Sequence, residues 1–333
     1  MIEIQKFDDF LLNHKLRASN EGAKYSPLAG GVSSDIYRVD LPGRSICVKR
    51  ALPRLKVAAK WEAPISRSIY EWEWISFVSR MAPQSVPSPL AYDAETSLFA
   101  MAYLDPSQHP VWKAQLLDGR VDPATAEAVG RLIGRIHAAS TRQADLPKRF
   151  ASDENFYALR LEPYLVEMQH KHRDIAQRLQ ALVDRTATTK HALVHGDVSP
   201  KNILVGPNGP VILDAECAWF GDPAFDLAFC LSHLLLKALG RPDKCAALRA
   251  SFDRLSDAYL REVSWESRDA LEARASALLP ALFLARIDGK SPVEYVVRED
   301  QRQAVREFAI PLIREGVSQL RHVADTWYVR FAR

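Results

Sequence analysis

Leu193 to Glu216 reads LVHGDVSPKNILVGPNGPVILDAE. Two apolar runs, Ile203 to Val205 and Val211 to Leu213, flank Gly206-Pro207-Asn208-Gly209, a turn sequence that predicts a hairpin. Such a hairpin brings Asn202, just before the first strand, alongside Asp214, just after the second. Asp197 stands five positions upstream of Asn202. Two acids and a carboxamide so arranged suit phosphoryl transfer from ATP. Asp197 would accept the proton of an attacking hydroxyl, and Asn202 and Asp214 would hold Mg2+ against the phosphates.

Around this hairpin the pattern is α+β. Phe7, Phe10, Leu11 and Leu16 space a short leading helix. Tyr25 to Ala51 alternates as strands, with turns at Gly30-Gly31 and Pro42-Gly43. A helix is predicted over 63–81, entered at Pro64 and stopped near Pro83, then strands near Ser88–Asp93 and Ser97–Tyr103. Beyond Asp105 the periodicity is helical over Thr125–Ala139, Asn155–His170, Ala224–Ala238, Cys245–Glu262 and Ser267–Arg286. Two lobes are expected, residues 1–104 with an antiparallel sheet and 105–333 mostly helical.

The H-G-D-x-x-x-x-N run from His195 to Asn202 and the later Asp214 resemble the signatures of the protein-kinase-like superfamily, in the aminoglycoside phosphotransferase and choline kinase branch. Trp61-x-x-Pro64-x-x-Arg67 and FGDPAFDLA from Phe220 to Ala228 are similar to features of 5-methylthioribose kinases. The chain departs from those kinases at Asn202, and at Ala215 between Asp214 and Glu216, where they carry proline. The resemblance runs from about Leu28 to about Gly240 and implies a two-lobed kinase-like fold.

Several residues take expected roles beside it. Leu28 to Ser34, LAGGVSS, lies between two predicted strands; amides and hydroxyls of Gly30, Gly31, Ser33 and Ser34 can bond phosphate oxygens. Lys49, one strand later, would neutralise the α- and β-phosphates, with Arg50 on the other strand face. The resemblance pairs Lys49 with Glu71 rather than Glu73, although Glu71 is also placed for an i,i+4 ion pair with Arg67. It also implies that adenine meets the carbonyl of Ala102 and the amide of Leu104, and that Asp226 bonds the catalytic-loop backbone. His195 is expected to anchor the loop by hydrogen bonding. Trp61, Trp72 and Trp74 are expected between the lobes. Glu216 is a candidate for a magnesium-bound water and Arg286 for a substrate hydroxyl or anion; the alternatives are a surface glutamate and a solvated helix-end arginine.

Gly196 stands where protein kinases carry an arginine, and only Ala215 to Pro223 separates the metal acid from the next helix. That is too short for a peptide-binding segment, so the acceptor is expected to be a small molecule with a hydroxyl, sugar-like or an amino alcohol. An aminoglycoside acceptor and a non-catalytic nucleotide-binding pseudokinase are the alternatives. The 333 residues allow two lobes, and the composition (47% hydrophobic, 26% charged) is that of an ordinary globular protein. A net charge of +3 gives no reason to expect nucleic acid or an anionic membrane. The apolar stretch after Phe225 is broken by Ser232, His233 and Lys237, too soon for a membrane span. Four cysteines without a C-x-x-C pair and an acidic N-terminus suggest a cytoplasmic protein; either a monomer or a homodimer is expected.

Overall fold

The computed structural model describes residues 2–28, 34–52 and 64–331. Gly30, Gly31, Ser33 and Trp61 lie outside these residues.

Five antiparallel strands form the N-terminal sheet: β1 (Lys24–Pro27), β2 (Ser34–Leu41), β3 (Arg44–Ala51), β4 (Pro89–Asp93) and β5 (Leu98–Ala102), in the order β1-β2-β3-β5-β4. Alternation along the strands sorts their side chains. Val39, Leu41, Ile46, Val48, Leu98 and Ala100 point to one face, where α1 (Ile2–Asn13) covers them with Phe7, Phe10 and Leu11. Each of those three buried side chains contributes about 1.5–3 kcal/mol. The intervening positions, Lys49 and Phe99 among them, point to the opposite face, which carries α2 (Arg67–Met81). Lys49 therefore faces the cleft, while Arg50 turns outward to Asp35 at 3.0 Å.

Below the sheet the chain is helical, with helices at Pro123–Ser140, Ala224–Gly240, Cys245–Glu262 and Arg268–Asp288. The Ala224–Gly240 helix is buried almost throughout, because other helices cover it on every side. The Pro123–Ser140 helix packs so close to Cys245–Glu262 that a Cβ on Gly130 would lie 2.2 Å from the Leu255 carbonyl. Among the described residues, helices beyond those expected include Trp112–Leu117, Ala176–Thr188, Glu299–Glu315 and Leu320–Tyr328. The third carries charges that hide its apolar stripe, Val305, Phe308, Ala309 and Leu312. The helix expected at Asn155–His170 widens to i→i+5 winding over Tyr157–Val166, where Pro163 lacks an N–H for a tighter ladder.

The segment from Ala192 to Gly221 is held in this frame by strands. Ala192–Val194 (β6) pairs with Trp219–Gly221 (β9), two strands too short to show periodicity. Ile203–Gly206 (β7) and Gly209–Ile212 (β8) form the expected hairpin. Its edges are pinned by Val205 N–H to the Pro110 carbonyl (2.9 Å) and Ile212 N–H to the Ser85 carbonyl (2.8 Å). No helix among the described residues is long and apolar enough to cross a membrane.

Candidate active site

Lys49 sits on β3 with 3% of its surface exposed, and its Nζ meets two acids at once: Glu71 at 2.8 Å and Asp214 Oδ1 at 2.5 Å. Burial by itself lowers the lysine's pKa, but the two carboxylates outweigh it and hold the ammonium charged. Burial raises the Asp214 carboxyl; Lys49 and Lys201 reverse this and keep it well below the usual range. Glu71 is raised, since burial exceeds what Lys49 returns. Glu73 points elsewhere and pairs with Arg149 of the helical lobe. The Arg67–Glu71 pair weighed above is not what forms. Arg67 is fully buried and its Nε bonds Glu216 at 3.0 Å, with Nη2 on the Leu52 carbonyl at 2.5 Å. Glu216 is thus neither a surface glutamate nor open to solvent; it is 8% exposed and committed to Arg67.

The hairpin aligns the other two groups. Leu213 N–H bonds the Asn202 carbonyl at 2.9 Å, extending the ladder by one pair and setting Asn202 beside the residue preceding Asp214. Asn202 Nδ2 donates to the Asp197 carbonyl (3.1 Å), which leaves its Oδ1 as an acceptor. Asp214 itself takes a left-handed φ of +68°. That conformation costs a non-glycine residue about 1–3 kcal/mol, and it turns the chain at the hairpin's end toward Lys49. Among the described residues no three His, Cys, Asp or Glu side chains cluster as a metal cage. A carboxylate plus an amide oxygen fits magnesium nonetheless, because that ion keeps waters and takes phosphate oxygens as its remaining ligands.

Asp197 is 4% exposed, and its Oδ2 is 3.0 Å from both Arg160 Nη2 and Lys201 Nζ. Burial raises its carboxyl, yet Lys201 and Arg160 prevail and hold it ionised below its ordinary range. Neither cation was identified in the sequence. Lys201 lies four residues after Asp197, inside the motif, as a signal that could have been read. Arg160 gave no signal, since it lies in a mostly apolar stretch 37 residues upstream of Asp197 and only packing brings it there.

The loop carrying Asp197 is anchored from below. The Asp226 carboxylate accepts the amides of His195 (2.7 Å) and Gly196 (2.8 Å). It is steadied by His137 Nε2 at 3.2 Å, whose Nδ1 meets the Tyr259 hydroxyl at 2.8 Å; this pair too went unnoticed in the sequence. His195 accepts the Asp197 amide at Nδ1 (3.1 Å), so its Nε2 carries the proton donated to the Leu213 carbonyl (3.1 Å). Burial depresses its pKa, which keeps this neutral form. Its ring meets Trp74 of α2 edge-on, centroids 4.8 Å apart, joining loop and upper lobe. Gly196 has φ +80° and would set a Cβ 2.7 Å from the Cys217 carbonyl, so no arginine fits there.

Of the nucleotide-side positions, Ser34 opens β2 buried, with no hydrogen-bond partner for its Oγ among the described residues. Ala102 closes β5 with its N–H on the Ser88 carbonyl (2.9 Å), and Leu104 lies two residues beyond. Arg286 is only 8% exposed and donates to Tyr164 Oη (2.9 Å) and Ser291 Oγ (3.1 Å), which excludes a solvated arginine.

A five-stranded lobe over a helical one, with lysine, two acids and an asparagine at their junction, is a two-lobed protein-kinase-like fold. The chain belongs to the phosphotransferase enzyme family (APH), whose model matches residues 24–271. Methylthioribose kinase of Pectobacterium carotovorum is 27% identical, over 92% of this chain and 86% of that enzyme. The Escherichia coli enzyme of the same name is 26% identical over 66% of this chain, a match spanning 59% of that enzyme's length. Among solved structures, an amicoumacin kinase in complex with AMP-PNP and Ca2+ aligns with a TM-score of 0.57 and 17% identity, covering 87% of this chain and 88% of that one. A choline/ethanolamine kinase family protein from Mesorhizobium loti aligns with a TM-score of 0.51 and 14% identity, covering 100% and 94%. At these identities the solved structures establish the fold.

Proposed function

We propose that the protein transfers the γ-phosphoryl group of ATP, with Mg2+, to a hydroxyl of a small molecule, a sugar-like metabolite or an amino alcohol. The observation that carries this is Lys49 bridging Glu71 and Asp214 across the lobes. It assembles phosphate-binding and metal-binding groups in one place, as phosphoryl transfer requires. A pseudokinase is disfavoured because Lys49, Asp197, Asn202 and Asp214 are all present.

Asn202 and Asp214 would hold the magnesium, which when bound neutralises phosphate charge and so favours transfer. Glu71 orients the Lys49 ammonium toward the α- and β-phosphates. Asp197, fixed by Arg160 and Lys201, orients the acceptor hydroxyl and takes its proton. Charge stabilisation dominates over proton removal, because the phosphoryl group leaves before much bonding to the acceptor forms. Adenine would bond the Ala102 carbonyl and the Leu104 amide between lobes 1–104 and 105–333, with Ser34 at the start of β2 toward the phosphates. Four unpaired cysteines, three of them buried, suit a reducing cytoplasmic setting.

The test is magnesium-dependent ATP consumption over a panel of sugars, amino alcohols and aminoglycosides, beside thermal stabilisation by Mg·ATP. Stabilisation with turnover on one acceptor class is expected. Absence of both at millimolar nucleotide would remove the reading.

A further inference from the structure

Beside the loop bearing Asp197 lies a small cavity to which four basic side chains contribute. Lys113, Lys201, Lys237 and Arg286 line it together with His233, against the single carboxylate of Glu294. Two of the cations are matched: Lys113 pairs with Glu294, and Lys201 with Asp197 at 3.0 Å. The other two are not. Lys237 has no exposed surface and its Nζ has no hydrogen-bond acceptor among the described residues; it rests 3.8 Å from the centre of the Tyr295 ring. Arg286 spends Nη1 on the neutral hydroxyls of Tyr164 and Ser291, and its Nε has no partner among the described residues. His233 Nε2 is likewise unpartnered, and burial with the surrounding cations keeps that ring neutral.

Burying a cation without a counter-charge is strongly unfavourable. Lys237 is nevertheless placed in an almost wholly buried helix, among Leu234, Leu235, Leu236 and Leu239. Lys237 and Arg286, two buried basic groups without a carboxylate partner among the described residues, line one cavity with Lys201 of the loop bearing Asp197, and an anion bound there would supply the missing counter-charge. The cavity measures about 30 Å³. At about 10–15 Å³ per water-sized site this admits a carboxylate, or the outer oxygens of a phosphate, but no sugar ring.

We propose that the cavity binds an anionic group, carboxylate or phosphate, on the acceptor, so that the substrate is a hydroxylated acid or phosphate ester rather than a neutral sugar. The inference rests on the phosphotransferase reading and narrows it. An acceptor anchored here by its anionic end has its hydroxyl within reach of Asp197, since Lys201 touches both the cavity and that carboxylate. Polycationic antibiotics and quaternary ammonium alcohols meet like charge at the same place and are disfavoured.

Sulfate is a suitable probe, because it stays dianionic across neutral pH. Thermal unfolding is followed with millimolar sulfate in the presence of saturating Mg·AMP-PNP. The wild type is expected to gain several degrees, and Lys237→Met and Arg286→Met are each expected to lose that gain. Lys237→Met removes a buried charge without shrinking the side chain, so it should fold; Arg286→Lys, which keeps the charge, should retain part of the gain. No gain in the wild type, equal gains in all variants, or a gain found only in a parallel melt without AMP-PNP would each overturn the proposal, the last by assigning the anion to the nucleotide. A second arm compares hydroxy acids and sugar phosphates with matched neutral sugars and with aminoglycosides, expecting at least about tenfold higher kcat/KM for an anionic member. Preference for a neutral or cationic acceptor would sink this inference and leave the phosphotransferase reading standing. No turnover and no Mg·ATP stabilisation would sink that reading instead.

Discussion

Nη2 of Arg160 stands 3.0 Å from Oδ2 of Asp197, and the same guanidinium holds the Gly196 carbonyl through Nε. One side chain thus fixes both the carboxylate proposed to act on the hydroxyl and the backbone that carries it. Arg160→Met should reduce kcat by more than it raises the KM for ATP. It should also move the acid limb of the pH–rate profile upward, because Arg160 helps to keep the Asp197 carboxyl below its usual range. An unmoved acid limb would show that Arg160 only fills space.

Asp197→Asn keeps the shape and removes the charge. Turnover should fall to background while Mg·ATP still raises the melting temperature, since the nucleotide contacts are proposed to lie on Lys49, Asn202 and Asp214. Normal turnover in this variant would withdraw Asp197 from its role.

Glu71 and Glu73 sit two positions apart on one helix and offer a matched comparison. Glu71 is 2% exposed against a buried lysine that keeps Asp214 as a second partner, so truncation to alanine should cost less than the roughly 3–5 kcal/mol of a charge left wholly unpaired, and raise the KM for ATP. Glu73 and Arg149 are about a third exposed, and Glu73→Ala should cost about 0.2–1 kcal/mol with little kinetic effect. Denaturant melts and ATP titrations on the two variants would decide it; equal losses would contradict the pairing seen here.

Gly196 marks the point where the loop cannot accept the protein-kinase arginine. Even Gly196→Ala combines a positive φ with a Cβ pressed on the Cys217 carbonyl, and it should cost more than about 1 kcal/mol. The loss should appear both in the melting temperature and in kcat, because Asp197 is the next residue.

Lys237 carries a pH prediction. Burial, then repulsion from Lys113 and Arg286, brings its pKa down to about 7 against the pull of Glu294. The other groups facing it are Lys201, held charged, His233, held neutral, and the Tyr295 phenol, raised by burial. Lys237 is therefore the wall group that titrates near neutrality. An unfolded lysine titrates near about 10.4, so between about 7 and that value the unfolded chain binds the extra proton and this residue's contribution to stability rises with pH. Sulfate needs the protonated form, so its affinity should weaken as pH climbs through about 7, with proton uptake on binding. Calorimetric titration in buffers of different ionisation enthalpy measures both; a flat affinity from roughly pH 6 to 8.5 would contradict the assignment.

By itself the sequence determined what is local: the Gly206–Gly209 turn and its flanking strands, and the strand alternation that faces Lys49 and Arg50 oppositely. These follow from backbone periodicity and turn chemistry, which act over a few residues. Long-range pairing was beyond it. Arg67 with Glu216, Arg160 with Asp197, and His137 with Asp226 are each joined across 37 to 149 residues of chain, and no spacing rule reaches that far. The cationic cavity is the plainest case. Lys113, Lys201, Lys237 and Arg286 look unremarkable in four separate segments; only packing removes them from water and counter-charges, and that removal turns ordinary side chains into a site.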